Sequence, residues 1–221
     1  MFKIENHYNL KGMVAIITGA GAGIGKASAL MLARAGANIV CADLNKVDAD
    51  NTAIEARGEG VKAIGVKCDV TSIQDLEEVV KATIKEFGKI NILVNNAGGG
   101  GGGREKFLEL TPEYLQKIYN LNVFSIFNLS RLCAPHMIAS EYGSIVNISS
   151  MSSIMQSHNM SVYGSSKAAV NQLTKYMAVD LGPIIRVNAI APGAIKTHAL
   201  ATVLTPKLEE IMLKKTPMKV L

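Results

Sequence analysis

The sequence predicts a doubly wound α/β fold, an open parallel sheet with helices on both faces. Three observations predict it: short runs rich in Ile and Val alternate with longer helical stretches, two glycine clusters directly follow such runs, and an aspartate closes the run after the first cluster. In such a sheet the ligand crevice lies at the carboxyl ends of the strands, where glycine lets backbone come close to a ligand.

The first expected strand, 13–18 (MVAIIT), is apolar and runs into Gly19, Gly21, Gly23 and Gly25, where a helix at about 23–35 begins. The second, 38–43 (NIVCAD), is too short for an ordinary helix and ends on Asp43; a helix at about 46–58 separates it from the third, 62–68 (KAIGVKC). A helix at about 72–87 leads to the fourth, 90–95 (INILVN), and then to six consecutive glycines at 98–103. A flexible linker would have the composition of this run, but linkers seldom start on the last residue of a buried strand. One long helix at about 111–138 precedes the fifth strand, 144–149 (SIVNIS). A helix at about 161–181 and the tight joint Leu181-Gly182-Pro183-Ile184 precede the sixth, 185–190 (IRVNAI).

Of the 221 residues, 48% are hydrophobic, 19% charged and 5% aromatic. A disordered chain lacks that much apolar surface, and without a linker, repeat or charge block the expectation is one domain over 1–221. The formal charge is +5, yet residues 1–180 carry 17 Lys+Arg against 16 Asp+Glu, and residues 181–221 carry 6 against 2. The excess therefore lies near the end, at Lys196, Lys207, Lys214, Lys215 and Lys219, with no aromatic platform, so no nucleic-acid partner is expected. Cys41, Cys68 and Cys133 form no ligand spacing, so neither a disulfide framework nor a metal site is expected. Nothing resembles a signal peptide or a membrane span, and the expectation is a reduced, cytoplasmic protein.

The turn Thr18-Gly19-Ala20-Gly21-Ala22-Gly23-Ile24-Gly25 leaves a strand and opens a helix, whose N-terminal N–H groups can take a pyrophosphate. Asp43 follows about 20 residues on, where a carboxylate can accept both ribose hydroxyl protons. A 2′-phosphate would bring like charge to Asp43, and position 22 is Ala where a cation would neutralise it. NAD is therefore expected over NADP, with Lys26 facing solvent.

With this turn, Cys68-Asp69-Val70, Asn95-Asn96-Ala97-Gly98 and Tyr163-Gly164-Ser165-Ser166-Lys167 make the chain, from about residue 11 onward, similar to the short-chain dehydrogenase/reductase family. The resemblance implies a Rossmann-like fold in which Gly19, Gly23, Ile24 and Gly25 form the cofactor turn. Asp69 would bond the adenine amino group and Val70 flank its ring. Asn96, Ala97 and Gly98 would line the central part, and Pro192, Gly193, Ile195 and Thr197 the nicotinamide end. It also implies a homotetramer with one pair of interfaces on the helices at 111–138 and 161–181. Past Thr216-Pro217-Met218 it implies a further helix and a last strand, without which the sheet would have an exposed apolar edge.

Tyr163 and Lys167 are four apart on an expected helix and so share a face, although an ordinary amphipathic helix offers the same pattern. For a tyrosine to act as a base near neutral pH its pKa must fall by about three units, about 4 kcal/mol, which needs an occluded site beside the Lys167 ammonium and a cationic nicotinamide. Lys167 can also hold the nicotinamide ribose. Ser150 or Ser149 could bond the substrate oxygen, and family spacing selects Ser150. Asn122 matches the family asparagine associated with a water that connects the lysine to solvent; a buried Asn at a helix irregularity would look the same. By this resemblance a secondary alcohol gives its proton to Tyr163 and its hydride to nicotinamide C4.

The glycine run, Leu121-Asn122-Val123-Phe124-Ser125 and Ile190-Ala191-Pro192-Gly193-Ala194-Ile195 resemble one branch of the family, the bacterial NAD-dependent 7α-hydroxysteroid dehydrogenases. Gly100 and Asn159 match that branch where substrate approaches, while Ile154-Met155-Gln156-Ser157-His158 departs from it. The implied substrate is an apolar secondary alcohol or ketone, a bile-acid steroid foremost. A 3-oxoacyl-carrier-protein reductase, another alcohol dehydrogenase or a silent NAD-binding sensor are the alternatives. Met151, Met155 and Met160 suit a bulky apolar substrate or a core equally, and His158 reads as a solvent-facing loop residue.

Overall fold

The computed structural model describes residues 9–101, 103, 105–201 and 204–220. Among the described residues six parallel strands form one sheet: β1 (Val14–Thr18), β2 (Asn38–Asp43), β3 (Ala63–Lys67), β4 (Ile92–Asn95), β5 (Gly143–Ile148) and β6 (Ile185–Ile190), in the order β3-β2-β1-β4-β5-β6. The order reverses between β1 and β4, so the crevice opens between their carboxyl ends, where both glycine clusters begin.

Alternation along the strands divides the core between two faces. Ala15, Ile17, Ile39, Cys41, Ile92 and Val94 pack toward α1 (Gly23–Arg34) and α2 (Lys46–Arg57), which meet them with Ala29, Ala33, Ala49, Ala53 and Ala56. These small side chains let the two helices lie close to the sheet. Ile16, Val40, Leu93 and Ile145 point the other way, against Leu76 and Val79 of α3 (Ile73–Phe87) and larger residues from two later helices. Those are α5 (Ser125–Ala139), with Leu129, Cys133 and Met137, and α6 (Ser161–Leu181), with Met177.

The six strands match the expected runs to within two residues at each end. The single helix expected at 111–138 is corrected. The chain forms α4 (Pro112–Tyr119), capped by the Thr111 hydroxyl, then a π-helical turn at Asn120–Phe124 and then α5. At the turn the Ser125 N–H reaches Asn120 O, one residue further back than in an α-helix. Two further helices went unread, α7 (His198–Ala201) and α8 (Pro206–Lys215). Among the described residues β6 lies at the edge of the sheet, with Ile185 and Val187 buried and Arg186, Asn188 and Ile190 exposed. The Leu181-Gly182-Pro183-Ile184 joint carries a cis Gly182–Pro183 peptide.

Candidate active site

The glycine turn is shaped by what surrounds it. Gly19 and Gly23 have φ values of 62° and 56°, in the left-handed region. A Cβ on Gly25 would run into Gly19 O, and one on Gly21 would lie 2.9 Å from Asp43 Oδ2. Helix α1 starts at Ala22 with no side-chain cap and no acid in its first turn, which leaves its N-terminal N–H groups to an external anion. Ile24 lies half-buried on the first turn of α1. Thr197 packs over the turn, its Cγ2 3.4 Å from where a Gly23 Cβ would be. This cradle fits a dinucleotide.

Asp43 ends β2 as expected. Its Oδ2 accepts from Gly21 N at 2.8 Å and its Oδ1 from Asn45 N at 2.9 Å, which fixes the carboxylate at the mouth of the turn. Lys26 is ion-paired to Glu55 of α2 at 2.7 Å, a partner the solvent-facing expectation did not include. Asp69 accepts from both the N–H and the hydroxyl of Thr71, at 2.9 and 2.7 Å. Val70 is 9% exposed and belongs to the core cluster of Leu76 and Val79.

Asn96 and Ala97 meet the glycine turn. Asn96 Nδ2 donates to Thr18 O and Gly19 O, and the Asn96 and Ala97 N–H groups both donate to Thr18 Oγ1 at 3.0 Å. The Asn96 side chain is thus a brace between β4 and the turn. On β6's continuation Pro192 O accepts from Met151 N at 2.9 Å, tying it to the segment after Ser150. Gly193 lies in open space, Ile195 is exposed, and the Thr197 hydroxyl accepts from Leu200 N at the start of α7.

The structure brings Asn122, Lys167, Tyr163 and the second glycine cluster together. A Cβ on Gly98 would lie 2.9 Å from Asn122 Oδ1 and 3.1 Å from Lys167 Nζ. Asn122 is fully buried in the π-helical turn and exchanges two hydrogen bonds with the Gly99 backbone, at 3.0 and 2.9 Å, while its Nδ2 also donates to Ser166 Oγ. Lys167 is 3% exposed and donates to Ile148 O at 2.8 Å. Burial lowers its pKa to about 8. Its Nζ stands 5.9 Å from the centre of the Tyr163 ring. Gly100 and Gly101, with φ values of 103° and 75°, lie along that ring: their Cβ atoms would come within 3.6 Å of Cδ2 and 3.0 Å of Cγ. Gly98, Gly99, Gly100 and Gly101 are thus packed backbone, not a linker.

Both serines follow β5 at Ile148. Ser149 is buried and donates to Lys167 O at 3.1 Å, so its hydroxyl is committed to α6. The Ser150 hydroxyl accepts from Ser152 N at 3.1 Å, which leaves its proton available. Asn159 is exposed with φ 56°, a conformation asparagine tolerates. Met151 and Met155 are exposed and therefore not core, Met160 packs on the glycine run, and His158 is exposed.

Sequence reasoning missed two groups. One is the buried chain Ser130–Asn95–Asn147–Thr174, which joins β4 and β5 to α5 and α6 through bonds of 2.8 to 3.1 Å. The other is Glu105. Among the described residues no cluster of His, Cys, Asp and Glu could hold a metal. Burial raises the Cys41 and Cys68 thiols to about 12, so neither offers a thiolate.

Residues 13–207 match the family model for short chain dehydrogenase. The chain belongs to that family. It is 46% identical over 220 residues to a 7α-hydroxysteroid dehydrogenase of Escherichia coli K12, covering 99% of this chain and 85% of the relative. A solved 7α-hydroxysteroid dehydrogenase, complexed with NADH and 7-oxo-glycochenodeoxycholic acid, superposes with a TM-score of 0.93 at 46% identity, covering 100% of this chain and 86% of that one. A 3-oxoacyl-[acyl-carrier-protein] reductase of Thermotoga maritima is 37% identical over 211 residues, 95% of this chain and 84% of the relative.

Proposed function

We propose that the chain oxidises the 7α-hydroxyl of a bile-acid steroid with NAD and reduces the 7-ketone in reverse. The observation that carries this reading is the 46% identity, over 220 residues, to a 7α-hydroxysteroid dehydrogenase; the exposed apolar lip of Met151, Ile154 and Met155 directly after Ser150 differs from that branch in sequence but suits an apolar substrate. Methionine adapts to a rigid, irregular apolar surface such as a fused-ring steroid.

NAD is favoured over NADP because Asp43 holds its carboxylate at the mouth of the turn and the nearby Lys26 is engaged by Glu55. Gly19, Gly23, Ile24 and Gly25 would take the pyrophosphate, Asp43 the ribose and Asp69 and Val70 the adenine. Asn96, Ala97 and Gly98 would border the middle, with Pro192, Gly193, Ile195 and Thr197 at the nicotinamide end. Bound there, NAD supplies the acceptor for the hydride on the alcohol carbon.

The chain's own residues manage the proton. Tyr163 accepts it from the substrate hydroxyl, with the buried Lys167 ammonium standing 5.9 Å from the centre of its ring. One Lys167 N–H is held by Ile148 O, and the others are available for the nicotinamide ribose and for passing the proton outward. Ser150 donates to the substrate oxygen, with Gly100 and Asn159 bordering the approach. The Asn122 amide is occupied by Gly99 and Ser166, so any water at this residue meets the backbone of the π-helical turn.

A homotetramer is supported by the apolar residues exposed on α5 and α6 and the turn before them: Phe124, Phe127, Tyr176 and Val179. No helix among the described residues is long and apolar enough to cross a membrane, and the three free cysteines accord with a cytoplasmic setting.

NADH formation with cholate and with deoxycholate, which lacks only the 7α-hydroxyl, tests the substrate. Turnover of cholate alone is expected. Equal rates would refute the steroid assignment, and activity confined to 3-oxoacyl thioesters would favour the reductase reading.

A further inference from the structure

Glu105 lies just beyond the glycine run and is 2% exposed. A buried carboxylate is costly unless donors surround it, and here they come from elements far away in sequence. Oε2 accepts from Val162 N at 2.8 Å, and Tyr163 N lies 3.2 and 3.1 Å from Oε1 and Oε2. The Tyr114 hydroxyl of α4 donates to Oε1 at 3.1 Å, and the Glu105 N–H donates to Asn159 O at 3.0 Å. Helix α6 has Met160 at its N-cap position and no side-chain cap of its own. Its first free N–H groups are met by Glu105, and the carboxylate is in turn stabilised by the positive end of the helix.

One of those N–H groups is that of Tyr163 itself, and the segment that carries Glu105 also lies on the Tyr163 ring. Gly99 is pinned by Asn122 at one end of the run and Glu105 by α6 at the other. Between the two anchors Gly100 and Gly101 pass along the ring, and Gly103 N donates to Met160 Sδ at 3.3 Å. The catalytic tyrosine is therefore held at its backbone and along its ring by a single segment.

We propose that Glu105 is a positioning residue for the dehydrogenase reaction: it clamps the glycine run to the start of α6 and so fixes the Tyr163 phenol relative to the cofactor and the substrate hydroxyl. Its carboxylate oxygens are taken up by Val162, Tyr163 and Tyr114, so its part in the reaction is through Tyr163. A misplacement of about 1 Å at a reacting group can cost about 100-fold in rate, whereas the dinucleotide cradle on β1, β2 and α1 shares no contact with Glu105.

The inference rests on Tyr163 as proton acceptor, and its test separates the two ideas. Glu105→Gln keeps the size of the side chain but only one acceptor oxygen. NADH-binding sites are counted by fluorescence titration, and kcat per site is measured with cholate and with cyclohexanol. Failure of the wild type on cholate alone touches only the steroid assignment, because the variant-to-wild-type ratio is read equally on cyclohexanol. The expected result is a fall in kcat per site of about 10- to 100-fold, with NADH affinity and substrate KM within about twofold of wild type. Tyr114→Phe removes one donor to the carboxylate and guards against a Glu105→Gln chain that does not fold; it should lower kcat per site about two- to fivefold. An unchanged kcat per site in the folded variants, or a loss of activity matched by an equal loss of NADH-binding sites, overturns the proposal.

Discussion

The two glycine-rich segments look alike in sequence, yet different neighbours require them. In the first, from Gly19 to Gly25, glycine is needed because backbone and the Asp43 carboxylate crowd it: Gly25 meets Gly19 O and Gly21 meets Asp43. In the second, side chains proposed to serve the reaction do the crowding: Gly98 meets Asn122 and Lys167, and Gly101 meets Tyr163. On the proposed function, the first segment builds a place for a dinucleotide and the second holds the groups that would move a proton. Damage to the first should therefore cost folding and nucleotide affinity, and damage to the second should cost turnover.

Gly25→Ala is expected to have the largest effect. Its Cβ would meet a carbonyl of the turn, which has no flexible end to yield, so a loss of about 3 kcal/mol or more in stability, or loss of NADH binding, should follow. Denaturant melts and NADH titration would register it. Tyr163→Phe comes next, with turnover down about 1,000-fold and NADH affinity unchanged. Gly101→Ala presses on the Tyr163 ring and on Met160 and should lower kcat about tenfold at constant NADH affinity.

Lys167→Met separates stability from activity. Wild type carries a buried ammonium with pKa about 8, below the ordinary lysine value of about 10.4. Between those two values the unfolded chain keeps the proton and the folded chain does not, so wild-type stability rises with pH across that window. The apo variant should therefore unfold at higher temperature than wild type at pH 7, a gain of about 1–3 kcal/mol that shrinks as the pH is raised through 8 toward 10, while turnover is lost. Gly103→Ala should be the mildest change. Its φ is 72° but nothing lies within 4 Å of the new Cβ, so about 1 kcal/mol of backbone strain and little change in kcat are expected.

Much of this was legible in the residues. Buried parallel strands read as short apolar runs, and the turn with Asp43 read as a nucleotide edge because its spacing follows from the fold. The Tyr163–Lys167 pair read as one helical face. The π-helical turn was not legible, since Asn120–Phe124 lies inside a longer helical stretch and the displaced hydrogen bond exists only in the backbone. Choosing between Ser149 and Ser150 needed family spacing; geometry gives a reason, since Ser149 is spent on Lys167 O. Glu105 was hidden for a similar cause. A charged residue beside six glycines reads as solvated loop, and its burial depends on N–H groups 57 residues further along the chain.

The most direct test of the central claim is NADH formation with chenodeoxycholate and with its 7β-epimer, ursodeoxycholate, at equal concentrations. The two differ only in the direction of one hydroxyl. Oxidation of chenodeoxycholate with at most trace activity on the epimer is the predicted result, and equal oxidation of both, or of neither, would contradict it.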